Sequence, residues 1–197
     1  MNNIDWREER KFKVSLEISR LITNELARNF KIMKYQVSST YYDTIGFQLF
    51  DAKDDGDLMK FKIRKRTYSF DPNGFFEVKQ KESHLNRKKR FKTLAQAWNF
   101  TLSQSDSHLN TICPGDICSV IYNRSSFKIS NECHISIDTG ITYKSKTGRI
   151  IRADNQMAII ELKGVNFPQW LIQKLSLLGF KQTSFSKYAD AIERLEL

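Results

Sequence analysis

Charged and apolar side chains alternate along several short segments of this chain, and the polar face of each segment is crowded with ions. In KFKIRKRTY, residues 60–68, an extended backbone would place Lys60, Lys62, Arg64 and Arg66 on one side. In EERKFKV (8–14), Glu9, Lys11 and Lys13 alternate with Arg10, Phe12 and Val14. In FFEVKQK (75–81), Phe75, Glu77, Lys79 and Lys81 alternate with Phe76, Val78 and Gln80. In NRSSFKI (123–129), Arg124, Ser126 and Lys128 oppose Ser125, Phe127 and Ile129, and in HISID (134–138) His134, Ser136 and Asp138 oppose Ile135 and Ile137. In AIIELKG (158–164), Ile159, Glu161 and Lys163 oppose Ile160 and Leu162. Adding VSSTYYDT near 37–44 and GITYKS near 140–145, the pattern predicts eight strands.

Helical spacing fills much of the remainder. Residues 15–30 carry Leu16, Leu21, Ile22, Leu26 and Phe30 behind a Ser15 cap. Thr93 caps a shorter helix with Leu94, Ala97 and Trp98. Pro168 and Gly179 bracket a helix whose stripe is Trp170, Leu171, Leu175 and Leu178, and a last helix begins near Ser186 or Lys187. The charged run LNRKKRFK (85–92) and the polar stretch SQSDSHLN (103–110) read as surface connections, with His84 and His108 as exposed loop residues. No repeat or Pro/Gly/Ser-rich linker divides the chain, so one domain over 1–197 is expected.

Charge changes the picture more than size does. Lys plus Arg number 32 against 22 Asp plus Glu, a formal charge of +10 that favours polyanionic partners. There is no run of apolar residues long enough for a membrane span and no signal-type N-terminus, which predicts a cytoplasmic protein. Three sparse cysteines, Cys113, Cys118 and Cys133, argue against a disulfide framework. With His134 they match no paired zinc-ligand spacing.

A single amphipathic strand is ordinarily a surface strand. The set is different, because acid and base recur on the same face: Glu9 with Lys11, Glu77 with Lys79 and Lys81, Glu161 with Lys163. If the sheet closes on itself, these faces line a polar interior that requires a charged ligand. Fixed Arg and Lys clamp phosphoryl oxygens, and a few carboxylates hold a divalent cation bridging phosphates, so a phosphate chain with a metal fits the lining.

The stretches EERKFKV, STYYDT (39–44), KFKIRKR, FFEVKQK, KKRFK (88–92), YNRSSF (122–127), HISIDTGITY (134–143), AIIELKG and FSKYADAIE (185–193) resemble, in order, the VTC (vacuolar transporter chaperone) catalytic domain, a polyphosphate polymerase of the CYTH-like triphosphate tunnel metalloenzyme superfamily. The resemblance implies an α+β fold, an eight-stranded antiparallel β-barrel with a charged interior and helices packed outside. It implies transfer of the γ-phosphoryl group of ATP to a polyphosphate chain, with Mn2+ or Mg2+ as cofactor. By position, Lys11, Lys62, Arg64 and Lys163 would act on the transferred group. Lys79, Arg90, Arg124, Lys187, Arg66 and His134 would be further phosphate ligands. Glu161 would coordinate the metal, with Glu9 and Glu77 assisting or holding the cations. Two positions depart from the family's habit: His134 stands where it commonly has Arg, and Lys62 where it has Arg, a point charge for a bidentate fork.

Two other readings share this lining: a hydrolase of tripolyphosphate or another triphosphate, and a non-catalytic polyphosphate or nucleic-acid binder. A reader of nucleic acid places aromatics among its exposed cations. Here Phe61, Phe76 and Phe127 alternate onto the opposite face, so no nucleic-acid partner is expected. Glu161 has a structural alternative as the ion-pair partner of Lys163 or Arg64, and Tyr188 reads as helix packing rather than substrate contact.

Overall fold

One antiparallel sheet gathers every strand of the computed structural model, which describes residues 8–51, 59–82, 85–105, 109, 113–164 and 167–197. His84 and His108 lie outside the described residues. In chain order the elements are β1 (Glu8–Ser15), α1 (Leu16–Asn29), β2 (Ile32–Asp43), α2 (Gln48–Asp51), β3 (Met59–Tyr68), β4 (Asp71–Glu82), β5 (Leu85–Phe91), α3 (Leu94–Gln104), β6 (Gly115–Lys128), β7 (Cys133–Ser145), β8 (Ile150–Arg152), β9 (Met157–Gly164), α4 (Gln169–Leu177) and α5 (Lys187–Leu195). The strand order is β1-β9-β7-β6-β2-β3-β4-β5, with β8 paired to β7 off this path.

Eight strands do form the main path, but two of them differ from the segments that the alternation marks. HISID and GITYKS are halves of one strand, β7. Gly140, at φ +61°, sits in a bulge where two β7 residues oppose one of β6, which reverses the alternation and mimics a break. The charged run at 85–92 is largely strand β5 rather than a connection. Its outward residues are Arg87, Lys89 and Phe91, and the two cations lie over the Phe100 ring of α3, so no apolar period betrays it.

The sheet curls until its two edges meet. β1 and β5 touch, and Lys79 of β4 reaches Glu9 of β1 at 3.1 Å, yet the edges share no ladder among the described residues. The curl is therefore a half-barrel with a lateral seam. Residues 182–183 cover part of β1's open edge, where Gln182 bridges Phe12 and the Thr183 amide donates to the Lys11 carbonyl at 2.9 Å. On the other side of the seam the cations of β5 suit an edge strand, because they oppose pairing with another chain.

Helices cover the sheet where its side chains are apolar. Ile22 and Leu26 of α1 and Leu171 and Leu175 of α4 bury Phe12, Phe127, Ile135, Ile160 and Leu162 on the convex face. Farther round that face, Ala97 and Trp98 of α3 with Leu49 of α2 cover Phe61, Ile63 and Val78. α5 lies instead across one end of the concave face, where Tyr188, Ala191, Ile192 and Leu195 bury Val37, Tyr41, Val120, Tyr143 and Ile159. The caps follow the sequence: Ser15 accepts from the Ile18 amide, Thr93 forms a capping box with Gln96, and Ser186 accepts from the Ala189 amide. Three residues of the expected apolar stripes, Leu21, Trp170 and Leu178, point outward instead, because the sheet covers only one side of each helix and their neighbours Ile22, Leu171 and Leu175 take it.

Candidate functional site: a basic cavity inside the curled sheet

The curl brings the ionic faces of the strands together around a narrow cavity. It is lined by Glu9 and Lys11 (β1), Lys62, Arg64 and Arg66 (β3), Lys79 (β4), Lys88 (β5), Arg124 (β6), Glu161 and Lys163 (β9), and Lys187 at the start of α5. Tyr41, Tyr122, Phe185 and Ser186 complete it. Toward the β4–β5 hairpin it opens into a wider mouth of about 810 Å³, with Lys60 and Lys81 on its rim.

On one wall each cation has a carboxylate. Arg124 donates from Nε and Nη2 to the two Asp138 oxygens at 2.7 and 2.8 Å, a bidentate pair, and Lys187 Nζ lies 2.7 Å from Asp138 Oδ2. The Asp138 side chain has no exposure; burial favours its neutral form, but Arg124 and Lys187 outweigh that and hold its pKa down to about 2. Glu161 pairs with Lys163, lies 3.3 Å from Arg124 and 3.8 Å from Lys11, and meets the Glu9 carboxyl. Burial opposes its ionisation, yet Lys163, then Lys11 and Arg124, keep it well below the usual carboxylate range. Glu9 bridges Lys11 at 3.0 Å and Lys79 at 3.1 Å. Its burial and Glu161 push it up, and the two lysines bring it below its ordinary value.

The opposite wall has few acids. Glu77, 2% exposed, accepts from Arg64 Nε at 2.9 Å and pairs with a second nitrogen of the same guanidinium, while Arg64 Nη1 donates to the Tyr41 hydroxyl at 3.1 Å. Glu77 thus sits behind Arg64, not in the cavity lining, and its oxygens orient a cation. Arg66 has only neutral partners in hydrogen bonding, Ser39 at 2.9 Å and the Tyr122 hydroxyl at 3.3 Å. Lys62 donates to Ser186 Oγ at 2.7 Å, and among the described residues no carboxylate lies within ion-pair distance of Lys62 or Lys88. Burial, then Lys79, Lys11 and Arg64, push Lys62 down to about 7. Lys79 falls to about 8, mainly through burial, which outweighs Glu9. Lys88 is exposed overall but lines the cavity, and desolvation there, with Lys163, outweighs the attraction of Glu77 and holds it well below the normal lysine value. This is a site poised for negative charge: a bound anion would relieve the repulsion that depresses these lysines.

The structure gathers Lys11, Lys62, Arg64, Lys163, Lys79, Arg124, Lys187, Arg66, Glu9 and Glu161 around the one cavity. It does not bring Arg90 or His134 there. Arg90 is on the same face of β5, two residues beyond Lys88, and lies over the Phe75 ring at 4.0 Å. His134 sits opposite Lys163 at the start of β7, outside the lining. Lys88 takes the inward place that the sequence had given to Arg90, and only the β4–β5 register, which pairs Lys79 with Lys88, distinguishes them. Tyr41, Tyr122 and Ser186 carry no ionic signal in sequence. Asp138 stood on a marked face, and the curl sets it against Arg124 and Lys187.

Magnesium-type sites use one or two carboxylates and complete their coordination with water and substrate phosphates. Among the described residues no group of three His, Cys, Asp or Glu is placed to hold a metal. Glu161 and Glu9 fit the smaller requirement: they face one another beside the cations, whereas Asp138 and Glu77 are taken up by guanidinium pairs.

Residues 6–112 and 116–196 match the model of the VTC domain. The chain belongs to the VTC domain family. No curated protein matches it in sequence. Solved structures share the fold of this VTC domain at low identity. A Hippeastrum adenylyl cyclase candidate with a dominant triphosphatase activity is 11% identical, with TM-score 0.64 over 96% of each chain. A Pyrococcus horikoshii OT3 protein is 15% identical, with TM-score 0.55 over 95% of this chain and 97% of that one. The Mimivirus capping enzyme triphosphatase is 10% identical, with TM-score 0.50 over 90% and 88%. The VTC domain thus has the curled antiparallel sheet of the CYTH-like triphosphate tunnel fold. No described helix is long and apolar enough to cross a membrane.

Proposed function

We propose that this VTC domain is a polyphosphate polymerase, in which the cavity holds a triphosphate while its terminal phosphoryl group passes to a polyphosphate chain. The observation that carries this reading is the wall of Lys62, Lys88 and Arg66, three cations without a carboxylate partner among the described residues, facing a wall in which Glu9 and Glu161 stand among cations. Such a wall has the charge and the donors that a linear polyphosphate requires.

In the reaction a terminal oxygen of the acceptor chain forms a bond to the γ-phosphorus of ATP, and the bond from that phosphorus to the β–γ bridging oxygen breaks, leaving ADP with the electron pair. Negative charge moves toward the bridging oxygen, so fixed cations lower the barrier without rearranging. Arg64, held from behind by Glu77 and Tyr41, presents a guanidinium with little freedom. Lys62 and Lys88 add point charges, and Lys11 and Lys163 lie across from them on the carboxylate wall. Glu161, with Glu9, would hold a divalent ion such as Mn2+ or Mg2+, which when bound would supply positive charge against the phosphates.

The triphosphatase activity of the Hippeastrum and Mimivirus proteins supports a second reading, in which water replaces the acceptor chain and free phosphate is released. One experiment separates the two. Purified protein is incubated with ATP and manganese or magnesium, and ADP, free phosphate and acid-stable polymer are followed together. ADP with polymer is the expected result. ADP with equivalent free phosphate replaces the polymerase reading with the hydrolase, and tripolyphosphate binding without turnover of either kind leaves a polyphosphate-binding protein.

A further inference from the structure

The two ends of the cavity differ in chemistry. At the end formed by the β4–β5 hairpin, the wide mouth carries Lys60, Lys62, Lys79 and Lys81. At the other end the same concave face turns aromatic. Along β3 the face runs Lys62, Arg64, Arg66 and then Tyr68, and across the ladder Phe75 stands opposite Arg66. Tyr35, opposite the cavity residue Arg124, completes the face. Tyr68 stacks on Phe70 with centroids 5.2 Å apart and planes at 5°, Tyr35 packs edge-on against both, and Phe75 leans on Tyr68 at 6.1 Å.

Two members of this cluster are open to a ligand. Phe70, at the tip of the β3–β4 hairpin, is 64% exposed. Arg90, also exposed, lies 4.0 Å over the Phe75 ring and forms no ion pair among the described residues. An exposed ring and an unpaired guanidinium, joined through Tyr68 and Phe75, give one rim two groups that stack planar heterocycles. The step from Phe75 to Arg66 carries this rim directly into the phosphate-binding wall.

Resting on the triphosphate reading above, we infer that the tunnel is polar: the base of a nucleoside triphosphate stacks at the Phe70–Arg90 end, its phosphates run inward past Arg66, and the lysine-lined mouth takes the polyanionic acceptor. The arrangement separates a donor that has a base from an acceptor that is phosphate alone. Each end then selects its ligand by a different force, stacking at one and charge at the other.

The test compares ligands that share the triphosphate and differ in the base. Binding of the β,γ-imido analogue of ATP and of inorganic tripolyphosphate is measured by calorimetry for the unaltered protein, Phe70→Ala and Arg90→Gln. Both side chains are exposed, so the fold survives either change. Each variant is expected to weaken the ATP analogue about ten-fold, the scale of losing one stacking partner, while tripolyphosphate affinity stays within about two-fold. In a third variant, Lys60→Glu with Lys81→Glu, long-chain polyphosphate loses affinity and the ATP analogue does not. Equal losses for both ligands in Phe70→Ala and Arg90→Gln, or no loss for either, overturn the inference. If the lysine variant weakens the nucleotide instead of the polymer, the polarity is reversed and the inference also fails. Failure of the unaltered protein to bind tripolyphosphate would overturn the reading of the cavity itself, a result distinct from these.

Discussion

The cavity's two walls use the same residue types for opposite ends. On the wall built from β1, β6, β7, β9 and α5, carboxylates interleave with cations, and Asp138 alone holds both Arg124 and Lys187. On the wall built from β3, β4 and β5, Lys62 and Lys88 have no carboxylate within ion-pair distance among the described residues, and their pKa values are depressed. The first wall is internally neutralised and supports the fold. The second is left repulsive, at a cost in stability that a polyanion repays on binding. The paired wall thus carries a structural duty beside its part in the site, whereas Lys62, Lys88 and Arg66 on the other depend on a ligand for a negative ion-pair partner.

Substitutions should expose that difference. The largest effect is expected for Asp138→Asn, which leaves Lys187 without its carboxylate and Arg124 with only the longer contact to Glu161. It should cost about 3–5 kcal/mol of stability, read as a lowered melting temperature and denaturant midpoint. A neutral result would mean that the paired wall is not structural.

Lys88→Ala should behave in the opposite way. Removing a cation on which the repulsion of Lys163, Arg64 and Arg66 and the cost of desolvation outweigh the attraction of Glu77 relieves that cost, so the melting temperature should hold or rise. Tripolyphosphate affinity should fall by about 1.5–3 kcal/mol, the worth of a hydrogen bond to a charged group. Loss of stability with unchanged affinity would move Lys88 from the ligand wall to the structural one.

The smallest effect is a pH dependence, and its sign follows from Lys62 at about 7 and Lys79 at about 8 in the free protein, both below the ordinary 10.5. An anion favours the charged lysine and raises its pKa, so above about pH 7 binding must take up protons. Tripolyphosphate affinity should therefore fall as pH rises from about 6 to about 9, and proton uptake should appear in calorimetry as a buffer-dependent heat. Lys62→Gln should flatten the profile, leaving the slope that belongs to Lys79 and to the ligand's own last proton. A profile that Lys62→Gln does not alter would show that Lys62 is already charged in the free protein.

Much of this was legible in the chain because strand alternation and helix capping are local. KFKIRKRTY had to put Lys62, Arg64 and Arg66 on one face, and Ser15 and Thr93 had to cap helices, whatever the sheet did afterward. β5 was hidden for an equally physical reason: cations packed on Phe100 replace the apolar residues that ordinarily mark a strand's inner side. The division of β7 was an artefact of period, since the Gly140 bulge inverts the face midway.

What the sequence by itself determined was which residues share a face, because the two-residue period of a strand depends on backbone geometry alone. It also determined the sign of the partner, through an excess of cations on those faces. Only the tertiary structure decided which cations are free. Asp138 meets Lys187 across 49 residues of chain, and Glu9 meets Lys79 across 70. These pairings exist because the sheet curls and α5 enters its concave side. Tertiary structure likewise put Lys88 inward at the cavity and Arg90 at its aromatic rim, because register and curvature, not residue type, set how far along the tunnel each side chain stands.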